Sequence, residues 1–102
     1  PEGRNPSMGY PARIAEMAAT IQGTAYSARG AVNTPANYLK AKRYLKTAFQ
    51  KQLNNVGFSF VELLSACPTG WHMNPQQSIR WIGEKMIPAL PLGEFKNVET
   101  LE

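Results

Sequence analysis

The architecture of this chain is set by residues 24–65, which read TAYSARGAVNTPANYLKAKRYLKTAFQKQLNNVGFSFVELLS. Residues 24–32 form a short, mixed, strand-like run. Residues 58–65 are almost continuously apolar, which is typical of an interior strand covered on both faces. Residues 35–54 between them have the length and the periodicity of a helix. A strand, a helix of about 20 residues and a second strand predict a βαβ crossover onto a parallel sheet.

Three helices are predicted from one signal, a proline at the first helical position, where its missing N–H would be unpaired anyway. These prolines are Pro11, Pro35 after the N-cap Thr34, and Pro75 after the N-cap Asn74. The first helix is expected to end at Gly23 and the third at Pro88. The apolar spacing predicts these inward-facing residues: Ile14, Met17, Ala18 and Ile21 in the first helix, Tyr38, Ala41, Leu45, Ala48 and Phe49 in the second, and Ile79, Ile82 and Met86 in the third.

The predicted order is helix, strand, helix, strand, helix, an α/β fold with one βαβ crossover flanked by helices. Residues 1–10 and 91–102 show no strong pattern and are predicted to be loop-like ends. Two parallel strands make a poor sheet, because parallel sheets are normally wide and covered on both faces. We therefore expect residues 1–102 to be a single incomplete domain, whose sheet continues in residues outside this chain or in a second copy.

Composition excludes several classes of protein. The 102 residues are 43% hydrophobic with a net charge of +4, which is not the composition of a disordered chain. No apolar run approaches the roughly 20 residues of a bilayer-spanning helix and no signal peptide is visible, so we expect a cytoplasmic protein with no membrane partner. The chain has one cysteine and no aspartate. An internal disulfide, a cysteine zinc site and a self-sufficient magnesium–phosphate site are therefore not expected.

The single cysteine, Cys67, follows the second predicted strand, and in open parallel sheets ligands gather beyond the carboxyl ends of the strands. Three interpretations remain open from the residues alone. A free cysteine is often a buried, inert thiol. A nucleophilic pair with His72 needs a third, orienting group, and neither an aspartate nor a well-placed asparagine is available. An iron–sulfur ligand is the third interpretation, although a cluster normally requires four thiolates and Cys67 supplies one.

The second predicted helix has a basic side, formed by Lys40, Lys42, Arg43, Lys46 and Lys51. Most faces of this kind are only solvated. The functional alternative is a small basic interaction module that binds an acidic protein or nucleic acid through helix 35–54. No helix-turn-helix, RNP-like or zinc-finger pattern is visible, which favours the acidic protein. Trp81 is predicted on the polar side of the third helix, either as a contact surface or covered by residues 92–95.

Several motifs resemble one enzyme family. The run GFSFVELLSACPTGW at residues 57–71 is similar to the last core strand and following loop of the β subunit of 2-oxoacid:ferredoxin oxidoreductases. This is the thiamine-diphosphate-binding subunit, and the resemblance is strongest to the 2-oxoglutarate and branched-chain 2-oxoacid types. GYP at residues 9–11, AEM at 15–17, AYSARG at 25–30 and MIPALPLG at 86–93 are also similar. The resemblance covers nearly the whole chain but only the C-terminal part of such a subunit.

The resemblance implies a fragment of a thiamine-diphosphate-enzyme parallel-sheet domain. In the family, earlier strands carry a Gly-Asp-Gly motif for Mg²⁺ and pyrophosphate, and a Cys-x-x-Cys pair with another upstream cysteine holds a [4Fe–4S] cluster; this chain contains none of these motifs. The position of the fourth cluster ligand falls on Cys67, in the intact subunit only. The implied reaction is oxidative decarboxylation of 2-oxoglutarate or 2-oxoisovalerate to an acyl-CoA, with coenzyme A as acyl acceptor and ferredoxin or a similar carrier as electron acceptor.

The resemblance also implies an α subunit, and possibly further subunits of the same oxidoreductase, as partners. The segment alone is expected to be inactive, with no catalytic residue of its own. It is expected to bind no thiamine diphosphate, Mg²⁺, cluster or nucleic acid, and to self-associate through the uncovered part of its sheet.

Overall fold

The computed structural model describes residues 12–65 and 75–101. In chain order these residues form helix α1 (Ile14–Ala19), strand β1 (Thr24–Ala31), helix α2 (Pro35–Leu53), strand β2 (Phe58–Leu64), helix α3 (Pro75–Trp81), a π-helical turn (Ile82–Met86), the short helix α4 (Ile87–Ala89) and strand β3 (Gly93–Asn97). The predicted α/β class is confirmed, and a third strand is added to the predicted order. Among the helices of this part of the chain, none has both the length and the apolarity needed to cross a membrane.

The three strands lie side by side in the order β2-β1-β3. β1 and β2 are parallel, with Ala28 opposite Val61 and Ala31 opposite Leu64. Because α2 connects these two strands, the predicted βαβ crossover is confirmed. β3 runs antiparallel to β1, so the sheet is mixed rather than all parallel.

The prediction that residues 91–102 are loop-like was wrong, because Gly93–Asn97 pairs with the second edge of β1. Its five residues, GEFKN, contain one large apolar side chain, Phe95, so the period-two pattern that predicts a strand is weak. A bulge in the pairing opposite Ser27 and Ala28 weakens that pattern further. The strand depends on its long-range partner β1, which a local pattern does not show.

β1, rather than β2, is the central strand. All eight residues of β1 are buried, and most of them are small: Ala25, Ser27, Ala28, Gly30 and Ala31. Residues 58–65 have the composition of an interior strand but were expected to find one neighbour in this chain, and among residues 12–65 and 75–101 β2 does pair with β1 alone, at the edge of the sheet. The small side chains of β1 are a weak hydrophobic signal in the sequence, yet they allow helices to approach both faces closely.

Helix α2 begins as predicted, since the hydroxyl of Thr34 accepts a hydrogen bond from the backbone N–H of Asn37 at 3.1 Å. The predicted inward face was only partly right. Ala41 and Ala48 are buried, but Tyr38, Leu45 and Phe49 are exposed, Phe49 by 67%. The cause is a close approach at Gly30, where an added Cβ would lie 3.0 Å from the Cβ of Ala41. The helix packs on the sheet through Ala41, Ala48 and the partly buried ring of Tyr44, and Tyr38, Leu45 and Phe49 lie at the flank.

Helix α1 shows the same behaviour on the opposite face of the sheet. It packs through Ala15 and Ala18, whereas Ile14, Met17 and Ile21, which were predicted to face inward, are exposed. It spans only Ile14–Ala19, and the predicted start at Pro11 lies outside the described residues.

The C-terminal helical segment, which comprises α3, the π-helical turn and α4 (residues 75–89), packs on the α1 side of the sheet at its carboxyl end. Ile82 is buried as predicted and Met86 packs against the same cluster, whereas Ile79 is exposed. The prediction that Pro88 ends the helix was wrong, because helical backbone continues to Ala89. A wide π-helical turn, Ile82–Met86, precedes this proline. We attribute the π turn to the proline, which has no N–H to donate and whose ring crowds the carbonyl of the preceding turn.

Candidate functional site

A buried arginine is the centre of the charged network in the described residues. Arg29 of β1 is 0% exposed. Its Nε donates to Oε1 of Glu62 at 3.0 Å, and its Nη1 and Nη2 donate to the two carboxylate oxygens of Glu16 at 3.0 and 2.6 Å. Nη1 also donates to the carbonyl oxygen of Pro91 at 2.9 Å, and the ring centroid of Phe95 lies 5.3 Å from the guanidinium carbon. Arg29 therefore links α1, all three strands and the segment before β3.

The strand register and one backbone contact explain this placement. Arg29 lies opposite Glu62 in the parallel ladder, so both side chains are on the sheet face that α1 covers. The hydroxyl of Ser27 donates to the carbonyl oxygen of Ala15 at 2.6 Å, which fixes α1 over β1. Because Glu16 follows Ala15, its carboxylate reaches the guanidinium.

The network favours the ionised forms of Arg29 and Glu16. The hydrogen bond from Arg29 lowers the pKa of Glu16 below its ordinary value. Burial on its own lowers the pKa of Arg29, but its hydrogen bonds to Glu16 and Glu62 outweigh burial and raise that pKa. The side chains of Glu16 and Glu62 are 28% and 23% exposed, so the arginine is enclosed while the carboxylates keep some contact with water.

This arrangement holds elements together and has no free group for chemistry. A guanidinium has five N–H donors, and four of those of Arg29 are already bonded to protein oxygens. No free edge remains for bidentate binding of a substrate carboxylate or phosphate. The function that the geometry supports is to position the carboxyl end of β1, which ends two residues later at Ala31.

A second polar contact joins β1 to β3 on the α2 side of the sheet. Tyr26 is fully buried, packs with Ala28 and Ala48, and its hydroxyl donates to Oε2 of Glu94 at 2.5 Å. Burial, reinforced by the hydrogen bond to Glu94, raises the pKa of Tyr26 well above its ordinary value. The phenol is therefore a neutral donor at physiological pH, and the contact ties β3 to the sheet.

The carboxyl edge of the parallel pair is where the sequence predicted a ligand-binding region. The backbone N–H of Val32 donates to the carbonyl oxygen of Leu64 at 3.1 Å, which closes the ladder at this edge. The edge rests on an apolar cluster of Ala31, Leu64, Ile82 and Leu90. Ser65 is exposed beyond β2. Cys67 and His72 follow it and lie outside the described residues, so their cluster-ligand, nucleophile and inert-thiol interpretations remain predictions.

The acids of the described residues do not provide a metal site. Within residues 12–65 and 75–101, no three His, Cys, Asp or Glu side chains are grouped so that they could hold a metal ion. Four of the acids are engaged with protein groups: Glu16 and Glu62 with Arg29, Glu94 with Tyr26, and Glu99 with Lys51.

The basic side of α2 is present but smaller than predicted. Lys40, Lys42, Arg43 and Lys46 are exposed and border, with Ala36 and Leu39, an open groove of about 570 Å³. The assignment of Lys51 to this surface was wrong: Lys51 is buried and its Nζ donates to Oε1 of Glu99 at 3.1 Å. Trp81, for which two environments were open, is half-buried.

The sequence analysis missed Arg29, although a signal for it exists. The two strand-like runs contain one charged residue each, Arg29 and Glu62. Charged residues are almost never fully buried without a partner, and a predicted parallel pair brings these two strands together. The contributions of Glu16, Pro91 and Phe95 carry no such signal, because they depend on how α1 and β3 pack.

Comparison with known proteins identifies relatives of this chain. Over 98 residues it is 33% identical to ketoisovalerate oxidoreductase subunit VorA of Methanothermobacter marburgensis and 31% identical to the subunit of that name from Methanothermobacter thermautotrophicus. The matches cover 95% of this chain but 20% of each relative, so the chain spans about a fifth of their length. No protein-family model and no solved structure matches it significantly. The chain is thus homologous to a segment of an oxidoreductase subunit, in agreement with the coarse expectation from its motifs.

Proposed function

We propose that this chain is a segment of the thiamine-diphosphate-binding, β-type subunit of a 2-oxoacid:ferredoxin oxidoreductase that acts on 2-oxoisovalerate or 2-oxoglutarate. The observation that carries the proposal is the 33% identity over 98 residues to a ketoisovalerate oxidoreductase subunit. The motif resemblance over residues 57–93 agrees with it. The parallel βαβ unit supports it as well, because its carboxyl edge directly precedes the segment that contains Cys67.

In the proposed parent enzyme, oxidative decarboxylation of the 2-oxoacid forms an acyl-CoA, releases CO₂ and passes two electrons to a ferredoxin-type acceptor. Bound thiamine diphosphate with Mg²⁺ would supply the carbanion chemistry, and Cys67 would be the fourth ligand of a [4Fe–4S] cluster whose other ligands lie elsewhere in the subunit. The contribution of the described residues is positional. The Arg29 network and the apolar cluster beneath Leu64 fix where β2 ends, and hence where the residues after Ser65 begin.

In this proposal the segment depends on the rest of the enzyme for its activity and its cofactors. The segment is inactive alone and holds no cofactor alone, because four of its five described acids are engaged with protein groups and its only cysteine is Cys67. Its partners are the α subunit of the same oxidoreductase, coenzyme A and the electron acceptor, and its location is the cytoplasm. Residues outside this segment build most of the substrate pocket, and they decide which 2-oxoacid is used.

The nucleotide sequence that flanks the codons for residues 1–102 tests the subunit assignment. The proposal expects a Cys-x-x-Cys pair and a Gly-Asp-Gly motif upstream in the same frame. A long in-frame flank that contains neither motif would rule out the β-type subunit. Calorimetry of the isolated chain with thiamine diphosphate and Mg²⁺ is a second test. Tight binding would contradict the proposal, because it would place the cofactor site within these 102 residues.

A further inference from the structure

Helix α2 has two exposed sides of different chemistry. An apolar flank consists of Tyr38, Leu45 and Phe49, and a basic face consists of Lys40, Lys42, Arg43 and Lys46 around Leu39. The flank is suited to burial against further protein. The basic face is not, because removing unpaired ammonium groups from water costs several kcal/mol each. The basic face therefore either stays in water or meets a surface of opposite charge.

The positive charge of the chain is concentrated on this helix. α2 holds five of the 11 lysines and arginines and none of the seven acids, so the rest of the chain has six cations and seven acids. Glu99 neutralises Lys51. None of the ion pairs found within residues 12–65 and 75–101 involves the four cations of the basic face. Their field is directed outward, where it accelerates encounter with an anionic partner.

The shape and composition of the basic face favour a protein over a nucleic acid. Leu39 is 60% exposed and lines, with Ala36, the groove of about 570 Å³ that the four cations border. An apolar centre with a charged rim is the usual anatomy of a protein–protein contact. Non-specific nucleic-acid surfaces combine cations with stacking aromatics, whereas the exposed aromatics of α2, Tyr38 and Phe49, belong to the apolar flank and do not line this groove.

We infer that the basic face of α2 is the docking surface for an acidic protein, and that this protein is the electron acceptor of the proposed reaction. The choice of acceptor rests on the proposed function. The expected surface on the partner has carboxylates around a small apolar patch. Association is expected to be fast and to weaken as ionic strength rises, since the contact depends on exposed charges.

Binding of a purified acidic ferredoxin to this chain, measured by titration calorimetry at low ionic strength, tests this inference. The variant Lys42→Glu/Lys46→Glu reverses two charges of the basic face, and Arg80→Glu/Lys85→Glu reverses two exposed charges of the C-terminal helical segment. Each variant replaces two positive charges by two negative ones, so both change the net charge from +4 to 0. We expect Lys42→Glu/Lys46→Glu to weaken binding by about tenfold and the matched control by less than about threefold.

Equal weakening in the two variants, or unchanged affinity in Lys42→Glu/Lys46→Glu, overturns the inference. Tighter binding of a short DNA duplex than of ferredoxin at the same salt concentration overturns the choice of a protein partner. Failure of the proposed function is seen separately, in the full-length parent enzyme with an artificial viologen acceptor. If that enzyme oxidises neither 2-oxoacid, the function fails; if it oxidises one and the ferredoxin titration is insensitive to the charge reversal, only the docking surface fails.

Discussion

Replacement of Arg29 by methionine is the perturbation that the structure makes most informative. Methionine keeps the unbranched stem of the side chain and removes the guanidinium. The change deletes the three hydrogen bonds to Glu16 and Glu62 and the one to the carbonyl oxygen of Pro91. It leaves two carboxylates facing each other across an apolar side chain, with no cation between them.

The expected loss of stability is large. Removing one partner of a buried ion pair costs about 3–5 kcal/mol, because the other charge is left uncompensated. The carboxylates of Glu16 and Glu62 are 28% and 23% exposed and recover part of their hydration, so we expect the lower end, about 3 kcal/mol. For a chain of this size the free energy of unfolding falls by about 1 kcal/mol per molar urea, so the unfolding midpoint of the variant is expected to fall by about 3 M.

Urea unfolding followed by far-UV circular dichroism measures this loss, and Arg80→Met is the control, because Arg80 is an exposed cation of α3. The control is expected to change stability by less than about 0.5 kcal/mol. Glu62→Gln provides a milder change of about 1–1.5 kcal/mol, which keeps a folded baseline for the comparison. In the double variant Arg29→Met/Glu62→Gln, the loss of unfolding free energy should differ from the sum of the two single losses by at least about 1 kcal/mol. A midpoint for Arg29→Met equal to that of Arg80→Met, or additive effects at Arg29 and Glu62, would refute the reasoning.

The remaining predictions concern the close approach of α2 and the two shifted pKa values. Gly30→Ala places a Cβ 3.0 Å from the nearest atom of α2 and should cost about 1–2 kcal/mol in urea unfolding, whereas Gly23→Ala, with nothing within 4 Å, should be neutral or slightly stabilising; equal effects would contradict the close approach. Because the pKa of Glu16 in the folded chain lies below its ordinary 4.5, its contribution is complete above that pH and is lost as pH falls through the folded value. Urea midpoints between about pH 6 and pH 3 should therefore fall more steeply in the wild type than in Arg29→Met, and parallel curves would disprove the pairing. Because the pKa of Tyr26 is raised above its ordinary 10.0, the folded state keeps a proton that the unfolded state releases, and stability should fall as pH rises above 10 in the wild type but less in Tyr26→Phe; an identical alkaline loss in both would count against a buried, bonded phenol.

The features that could be predicted from the sequence are those with local causes. The start of α2 was predictable because Thr34 and Pro35 are both favourable at a helix N-terminus. The βαβ crossover followed from two strand-like runs joined by one helix. The faces of the helices were not predictable from hydrophobic size, because the packing distance is decided by Gly30 and the alanines that meet the sheet. A ranking by size placed Tyr38 and Phe49 inside, where α2 approaches too closely to admit them.

The site was predictable only in part. The pairing of Arg29 with Glu62 could have been inferred from two isolated charges in adjacent parallel strands. The roles of Pro91 and Phe95 depend on β3, and the bond between Tyr26 and Glu94 depends on it too. Since the five residues of β3 contain one large apolar side chain and give only a weak strand signal, those contacts appear only once the sheet is assembled. The assignment of Cys67 rests on the resemblance and stays a prediction.

Transfer of this segment into a relative tests the central claim most directly. In ketoisovalerate oxidoreductase subunit VorA of Methanothermobacter marburgensis, the matched 98-residue segment would be replaced by the corresponding residues of this chain. The chimera would be produced anaerobically with the other subunits, and coenzyme A-dependent oxidation of ketoisovalerate would be measured with a viologen acceptor. We expect turnover in the chimera and its loss in the chimera that carries Cys67→Ser. An assembled, folded chimera without turnover, or one that is indifferent to Cys67→Ser, would contradict the account.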